Sequence, residues 1–566
     1  MQGEAGTVGD MPALSYAFPA DVVRAAEQPL INAQQEPDEL MRSAAYVVAV
    51  AAQTMLRSQP TRPGAESVLL LVGGGGNGGD ALYAGASLAE FGYPVHAVLL
   101  DAQARVHERA HESFLAAGGR VLEGFPGRDL NSYRLIIDGV LGLGGEGGLR
   151  ESLAHTLLPL RRAYAPVLAV DVPSGVEADS GVLPEPFETD LQERVPAHID
   201  ADVTVTFGGL RYAHCLTAAC GEVILADIEA GGTSLSSQLA QQQSTGKIPQ
   251  VFAVRAIPYR RDYEWPATFV SPQPEDITAV EPGPADDKYS GGVVGVCAGS
   301  AQYPGAAILS THAAVRATSS MVRYVGTQAD EVVRAFPEVV ATTTLEDAGR
   351  VQAWVFGPGR GVDDGAAAEL ADLLDEEAAL LIDADGVTLL AERPELRAAL
   401  IERTGSTVLT PHAGEFRRLA DAVSGDVPDP EQDPIGAVTA MVRELRCAVL
   451  LKGRFTVIAR PAGELVSVST VDAGTSWAAT AGSGDVLSGL LGARMAHSSV
   501  VASDEMPQYS EDEEFHPGLY SLADGVQIHA VATWLSAQTP DGAAPTSASR
   551  IAKYVPRATA RLSALG

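Results

Sequence analysis

Lysine is almost missing from this chain. Among 566 residues it occurs only at 247, 288, 452 and 553, and arginine supplies the rest of the positive charge. With 39 basic against 72 acidic residues the formal net charge is −33. That balance excludes non-specific binding to nucleic acid or to an anionic membrane, since both need clustered positive charge. A solvated acidic surface that aids solubility accounts for the excess. Cysteine is scarce as well: Cys215, Cys220, Cys297 and Cys447 form no CxxC pair and no zinc-ligand spacing. They read as reduced thiols of a cytoplasmic protein. No apolar run approaches the ~20 residues that span a bilayer. Nor does a basic segment followed by an apolar one open the sequence, so no secretory signal is expected. The rarity of lysine gives weight to Lys452, which directly follows the apolar run 448–451.

What is present is a hydrophobic content of 46%, enough for globular folding, on a chain too long for one ordinary core. Strand-like runs alternate with helical patterns, the signature of parallel sheets covered by helices. In the first half the strands are predicted at 68–72, 95–100, 135–137, 167–170, 203–207 and 223–225. In the second half they are predicted at 292–298, 353–356, 379–382, 407–409, 448–451 and 455–459. Residues 229–250, rich in Gly, Ser and Gln, have linker composition. The expected division is therefore a domain over 1–240 and another over 241–566, with 251–284 as a connecting segment. The acidic stretch 501–517 reads as a solvated surface insertion.

The segment 68–92 reads as strand, glycine loop, helix, and it satisfies G-x-G-x-x-G through Gly73, Gly75 and Gly78. Asp101 lies about 20 residues on, where a Rossmann dinucleotide fold carries its ribose-binding acid. The generic reading is thus a nicotinamide-dependent oxidoreductase. Asn77 and Asp80 argue against it, because a simple pyrophosphate turn needs only backbone there. Asp138 and Asp171 each stand just past a strand, at the carboxyl edge where open α/β sheets hold ligands. Asn77, Asp138 and Ser174 offer hard oxygens with a single carboxylate, which suits a monovalent cation better than magnesium.

In the second half, TAGSGD (480–485) is a glycine-rich turn that ends in an acid and enters a helical pattern. Such a turn aims backbone N–H groups at an anion, with the helix dipole behind them. Asp485 would stand beside that anion, where a carboxylate can take a proton from an attacking hydroxyl. Lys452 offers a compact charge for phosphates, Thr456 a hydroxyl, and Gly482, Ser483 and Gly484 an anion hole. His412 and Glu415 sit in a turn after a strand.

GNGGD (76–80), IDGVLGLGGEGG (137–148), DVPSGVEADSG (171–181), ADVVRAAE (20–27) and LMRSAA (40–45) resemble the NAD(P)H-hydrate epimerase domain. AGSAQYPGAA (298–307), GPG (357–359), DADGV (383–387), TPHAGE (410–415), LKG (451–453) and GSGD (482–485) resemble the ribokinase-like ADP- or ATP-dependent NAD(P)H-hydrate dehydratases. The resemblance implies two three-layer α/β/α domains, the first Rossmann-like and the second ribokinase-like. It implies that Gly76, Asn77, Gly78, Gly79 and Asp80, with Gly142, Leu143, Gly144, Gly145, Glu146, Gly147 and Gly148, cradle the substrate phosphates. Asn77, Asp138 and Ser174 would coordinate K+, and Asp171 would be an acid/base at the nicotinamide end. In the second domain Ala306, Gly359, His412 and Asp485 would surround the hydrated dinucleotide. Lys452, Gly453, Arg454, Phe455, Thr456, Gly482, Ser483 and Gly484 would hold ADP or ATP, with Mg2+ on the nucleotide. The substrates implied are NADHX and NADPHX, in a cytoplasmic homo-oligomer without nucleic-acid or membrane partners. The sequence departs from the family at Gly76, where a second Asn is usual, and at Ala81, Asp287, Trp477 and Ser483. A small-molecule kinase of the same fold, with a non-catalytic first domain, is the competing reading.

Overall fold

The computed structural model describes residues 16–60, 62–100, 106–143, 147–188, 193–243, 250–259, 263–277, 281–504, 519 and 521–564; at 250 and 501–504 it describes the backbone alone. Two compact units result. One comprises residues up to 248 together with 259–272, and the other 249–258 together with 273–566.

The first unit is built on a parallel sheet of β1 (Ser67–Val72), β2 (Val95–Leu99), β3 (Arg120–Val121), β4 (Tyr133–Gly139), β5 (Val167–Val170), β6 (Val203–Phe207) and β7 (Glu222–Ala226), in spatial order β7-β6-β5-β4-β1-β2-β3. Side chains alternate across a strand, so an apolar run without interruption needs cover on both faces. Val68, Leu70 and Val72 enter one core with α1 (Ala20–Ala33), α2 (Glu39–Ser58) and α3 (Gly76–Glu90). Leu69 and Leu71 enter another with the helix Glu151–Leu157. That is a three-layer α/β/α arrangement. Strand β1 pairs with both β2 and β4, so the chain direction reverses there and a crevice opens beyond the carboxyl ends of β1 and β4.

In the second unit β8 (Gln250–Arg255), β9 (Val294–Cys297), β10 (Val322–Val325), β11 (Val340–Thr342), β12 (Ala353–Phe356), β13 (Ala379–Ile382), β14 (Thr407–Leu409), β15 (Ala448–Leu451), β16 (Phe455–Ala462) and β17 (Leu465–Asp472) lie in the order β8-β17-β16-β15-β14-β13-β12-β9-β10-β11. The pairs β15–β16 and β16–β17 are antiparallel; β8 joins β17 in parallel, and the ladder from β15 to β11 is parallel throughout. Helices α4 (Pro304–Ala317), α6 (Ser483–Asp504), α7 (Leu522–Ala537) and α8 (Ala548–Leu562) pack one face, and α5 (Ala413–Ala420) follows β14. The reversal here falls between β9 and β12.

The strands predicted from the sequence are present, with small differences at their ends. Strands β3, β8, β10, β11 and β17 are additional; β10 and β17 alternate charged or polar with apolar residues and lack a long apolar run. Over 229–243 the stretch with linker composition folds: a short hairpin (Glu229–Ala230 with Thr233–Ser234) leads into the helix Leu235–Gln243. Leu235 and Leu239, one turn apart, are fully buried in the first unit's core, and two leucines outweigh the polar composition around them. Part of the presumed connecting segment is strand β8, while Phe269 and Trp265 join the first unit, Trp265 Nε1 donating to Glu222 Oε1 at 2.8 Å. The acidic insertion, beyond the helical backbone to Asp504, lies outside the described residues. Leu239→Ala is expected to destabilise the first unit by about 2–4 kcal/mol, as for other buried leucines. Urea unfolding followed by circular dichroism measures it, whereas a true linker would show no change.

Candidate active sites

The crevice of the first unit is walled by two loops in backbone contact. The turn after β1 starts α3, and the turn after β4 crosses it at Gly142, where a Cβ would lie 2.2 Å from Asn77 Oδ1. Only glycine fits there. Gly75 and Gly76 face open space, so their backbone is accessible to a ligand. Asn77 Nδ2 donates to Leu141 O at 3.2 Å and to Val170 O at 2.6 Å, tying three strand ends together. Asp138 is fully buried. Its Oδ1 accepts from Ser174 Oγ at 2.6 Å and Val140 N at 3.2 Å, and its Oδ2 from Ser174 N at 2.8 Å. Ser174 Oγ in turn accepts from Leu141 N at 2.8 Å. Burial still raises the Asp138 carboxyl above its ordinary range, against the pull of those donors. No cationic side chain pairs with it among the described residues. A dehydrated carboxylate with the Ser174 hydroxyl on it, at a crevice whose wall also carries Asn77, fits a monovalent cation as its counter-charge.

Asp171, just past β5, has φ = 63°, a left-handed conformation that costs an L-residue of its kind free energy unless its surroundings hold it. They do. Thr206 Oγ1 donates to Asp171 Oδ1 at 2.7 Å, the fully buried Arg211 reaches the same oxygen with Nη2 at 3.1 Å, and His214 Nε2 donates to the Asp171 carbonyl at 2.7 Å. His214 Nδ1 accepts from Arg211 N at 2.9 Å, so the ring is a neutral tautomer with its proton on Nε2. Burial pushes its pKa down to about 4. The cleft of about 880 Å³ over these groups is also lined by Glu27, Asp80, Arg24 and Leu143. Arg24 Nη2 donates to Leu143 O.

In the second unit the predicted residues also meet at strand ends. Gly359 has φ = 61°, and a Cβ on it would lie 2.9 Å from Ala306 Cβ, so the loop after β12 and the start of α4 touch at the reversal point. Lys452 N donates to Pro411 O at 2.9 Å, which brings the loop of His412 beside the loop of Lys452. Lys452 Nζ lies 3.7 Å from the position a Gly484 Cβ would take, placing the lysine against the glycine turn. Its partner is Asp383, just past β13: Nζ to Oδ1 is 2.6 Å, while Glu415 Oε2 is 3.8 Å away. Asp383 Oδ2 accepts from Ser488 Oγ, on the helix of Asp485, at 2.5 Å. Burial first, then the negative charges of Asp383 and Asp385, push the Asp485 carboxyl up to about 6 against the pull of Lys452. His412 caps α5, its Nδ1 accepting from Gly414 N at 2.9 Å, and leaves its ring more than half exposed. Ser483 turns its hydroxyl inward to His529 Nε2 at 3.2 Å, so its backbone alone faces the turn. Thr456 Oγ1 donates to Gly453 O at 3.0 Å, and the Arg454 guanidinium lies over the Phe455 ring at 5.3 Å.

Gly144, Gly145, Glu146 and Asp101 lie outside the described residues. Asp80, in the first turns of α3, and Gly148, on the loop after β4, line the first cleft, whereas Gly78 and Gly79 are buried in α3 against Gly73 and Met41 and Gly147 stays outside the lining. Sequence reasoning missed Glu27, Thr206, Arg211 and His214 in the first site, and Asp383 and Ser488 in the second. Thr206 is one of two buried threonines in the strand Val203–Phe207, so the residue order did not single it out, and Arg211 carried no signal either. Replacing His214 by Gln keeps one acceptor and one donor but removes a titrating group. Since the folded histidine titrates at about 4 and its ordinary pKa is 6.5, wild-type stability attributable to it is present above 6.5 and lost as pH falls towards 4. The difference in unfolding free energy between wild type and His214→Gln is expected to shift by about 1 kcal/mol per pH unit between 6.5 and 5, in favour of the variant. Denaturant titrations at both pH values measure it.

Two family profiles match the chain: "YjeF-related protein N-terminus" over residues 37–213 and "NAD(P)H-hydrate dehydratase" over residues 294–539. Over 572 aligned residues it is 49% identical to the bifunctional NAD(P)H-hydrate repair enzyme Nnr of Corynebacterium glutamicum, covering 96% of this chain and 98% of that protein. It is 43% identical over 483 residues to the protein of the same name from Mycobacterium tuberculosis, covering 85% and 89%. Among solved structures, an ADP/ATP-dependent NAD(P)H-hydrate dehydratase from Bacillus subtilis aligns at 22% identity with a TM-score of 0.39, over 50% of this chain and 95% of that one. With such similarity over nearly its whole length, the chain belongs to the family of bifunctional NAD(P)H-hydrate repair enzymes.

Proposed function

We propose that the first domain, 1–240, interconverts the R and S hydrates of NADH and NADPH at C6, and that the second, 241–566, dehydrates the S hydrate at the expense of ADP or ATP. The observation that carries the second assignment is the convergence of Lys452, the 482–484 turn and Asp485 on one strand edge, with Asp485 pushed up to about 6. A carboxylate poised near neutrality is matched to taking a proton from a hydroxyl. In this reading Asp485 deprotonates the C6 hydroxyl, whose oxygen attacks the terminal phosphorus of the nucleotide. AMP leaves from ADP, or ADP from ATP. The C6–O bond then breaks with its electron pair on phosphate, the N1 lone pair supports the positive charge, and loss of a C5 proton restores the reduced nicotinamide.

The backbone amides of Gly482, Ser483 and Gly484 and the ammonium of Lys452 supply positive potential for the phosphates. Gly453, Arg454, Phe455 and Thr456 form the adjoining hairpin turn for the nucleotide, while Ala306, Gly359 and His412 border the dinucleotide. Mg2+ would ride on the nucleotide's phosphates and neutralise their charge; no cluster of three metal-ligating side chains converges among the described residues. In the first domain Asn77, Asp138 and Ser174 would hold K+, whose charge near the crevice would favour the substrate's phosphates. Gly76 to Asp80 and Gly142 to Gly148 would cradle those phosphates, leaving Asp171 for proton transfer at the nicotinamide end. Four cysteines buried as free thiols support a cytoplasmic site of action. Sedimentation of the purified chain tests the homo-oligomer expected from the resemblance.

Mixed R and S NADPH hydrate, followed at the absorbance band of reduced nicotinamide with ADP, ATP or neither, tests both assignments. Full recovery with one nucleotide is expected, with release of inorganic phosphate; a stable phosphate ester instead would make the second domain a kinase. Asp171→Ala should stop recovery at the S fraction, beyond spontaneous epimerisation, and Asp485→Asn should abolish dehydration while nucleotide still binds. Asp383→Asn removes a charge that raises the Asp485 carboxyl and releases Lys452 towards it. Both changes lower the pKa of Asp485, so the acidic limb of the kcat/KM profile for dehydration is expected to move to lower pH.

A further inference from the structure

Helix α1 turns Ala20, Val23 and Leu30 into the core of the first unit, each at most 3% exposed. Glu27 stands on the same stripe, four residues after Val23 and three before Leu30, the spacings that stack side chains on one helix face. An apolar residue is what such a stripe calls for, and a carboxylate there loses hydration without a return unless it is paired or used. Glu27 is not paired by hydrogen bonding: no donor among the described residues reaches it, and the same holds for Asp80. Both line the cleft that Asp171 lines. Their carboxyls are raised above the ordinary range, chiefly by burial; for Glu27 Arg211 pulls back and Asp171 adds, and for Asp80 the charges of Asp171 and Glu27 add. Asp171 holds the Arg211 guanidinium and the Thr206 hydroxyl, both donors to an anion.

We propose that Glu27 is a second acid–base group of the epimerisation site, acting on the face of C6 opposite to Asp171. This rests on the epimerase reading given above. The chemistry needs two such groups. C6 of the hydrate carries a hydroxyl and is bonded to N1, so the C6–O bond can break with its electron pair on oxygen while the N1 lone pair supports the cation. A protonated Glu27 gives its proton to the departing oxygen, which leaves as water. A water on the other face then forms the new C6–O bond and passes a proton to the Asp171 carboxylate. The product is the opposite epimer, with Glu27 ionised and Asp171 protonated, and that form of the enzyme is the one that runs the reaction in reverse. Exchange with solvent takes the proton from Asp171 and returns one to Glu27 before the next R hydrate, so protons, oxygen and charge balance over the cycle and no oxidant or further reactant is required. Once Glu27 has given up its proton, it and Asp171 are both anions beside the cation at C6, and their field favours it over the neutral hydrate.

The test uses the full chain and R-NADPH hydrate in water enriched in oxygen-18, with both epimers followed by mass spectrometry and the uncatalysed rate subtracted. Wild-type turnover is expected to place one labelled oxygen in each molecule of S hydrate formed. Glu27→Gln should lower kcat for epimerisation by ~100-fold, the low end of general acid–base contributions, with KM little changed. Glu27→Asp should recover part of the loss, and dehydration of S hydrate by the same chain should be unaffected. Glu27→Met, which completes the apolar stripe, should unfold at a higher temperature than wild type. Unlabelled S hydrate, a Glu27→Gln variant with wild-type kcat, or a Glu27→Met variant less stable than wild type overturns the proposal. A wild-type chain that leaves R hydrate unconverted overturns the epimerase reading beneath it.

Discussion

A carboxylate taken out of water must be answered by donors or by a cation, and each unit is organised around one such group. In the first it is Asp138, whose two oxygens gather the Ser174 amide and hydroxyl and the Val140 amide, and so fix the ends of β4 and of the loop beyond β5. In the second it is Asp383, which takes Lys452 on one oxygen and Ser488 on the other. Those two bonds join the end of β15 to the helix that carries Asp485. Neither carboxylate has to touch a substrate to matter, because the residues proposed to react take their positions from it. Removing one partner would leave the other buried without compensation, so such networks hold together as units.

The parallel sheet explains why these groups meet at all. All carboxyl ends of parallel strands lie along one edge, and where the order reverses two loops diverge and leave a crevice. The first unit fills its crevice with the glycine turn before α3 and the loop crossing at Gly142. The second sets Ala306 and Gly359 at its own reversal, between β9 and β12. Both cradles are made mostly of backbone, which suits phosphate-bearing ligands. The two proposed reactions also share a centre. Each breaks a C6–O bond with help from N1; the first by protonating hydroxide into water, the second by converting it into phosphate.

Much of this was legible in the residue order. Uninterrupted apolar runs bounded by glycine turns specified buried parallel strands, and three acids marked the edge where the crevices lie: Asp138 at the end of β4, Asp171 just past β5, and Asp485 in the first turn of α6. The glycine turns could be read because their requirement is local: a backbone that must approach another backbone excludes a Cβ, and that constraint leaves its mark in sequence. Leu235 and Leu239 show where composition misleads, since two apolar residues one turn apart anchor a helix within a stretch of Ser and Gln.

What tertiary structure alone decided are the partnerships. Arg211 reaches Asp171 from a strand 40 positions later in the chain, Asp383 meets Lys452 and Ser488 from three separate elements, and Ser483 spends its hydroxyl on His529. No local pattern announces such contacts, because ion pairing and burial act between groups that folding brings together regardless of their separation along the chain. Residue order determined the strands, the glycine cradles and the acids at their rim. The fold decided which of those acids are paired and held, as Asp171 and Asp383 are, and which line the cleft without a hydrogen-bond donor among the described residues, as Glu27 and Asp80 do, since only assembled neighbours set the cost of a buried charge.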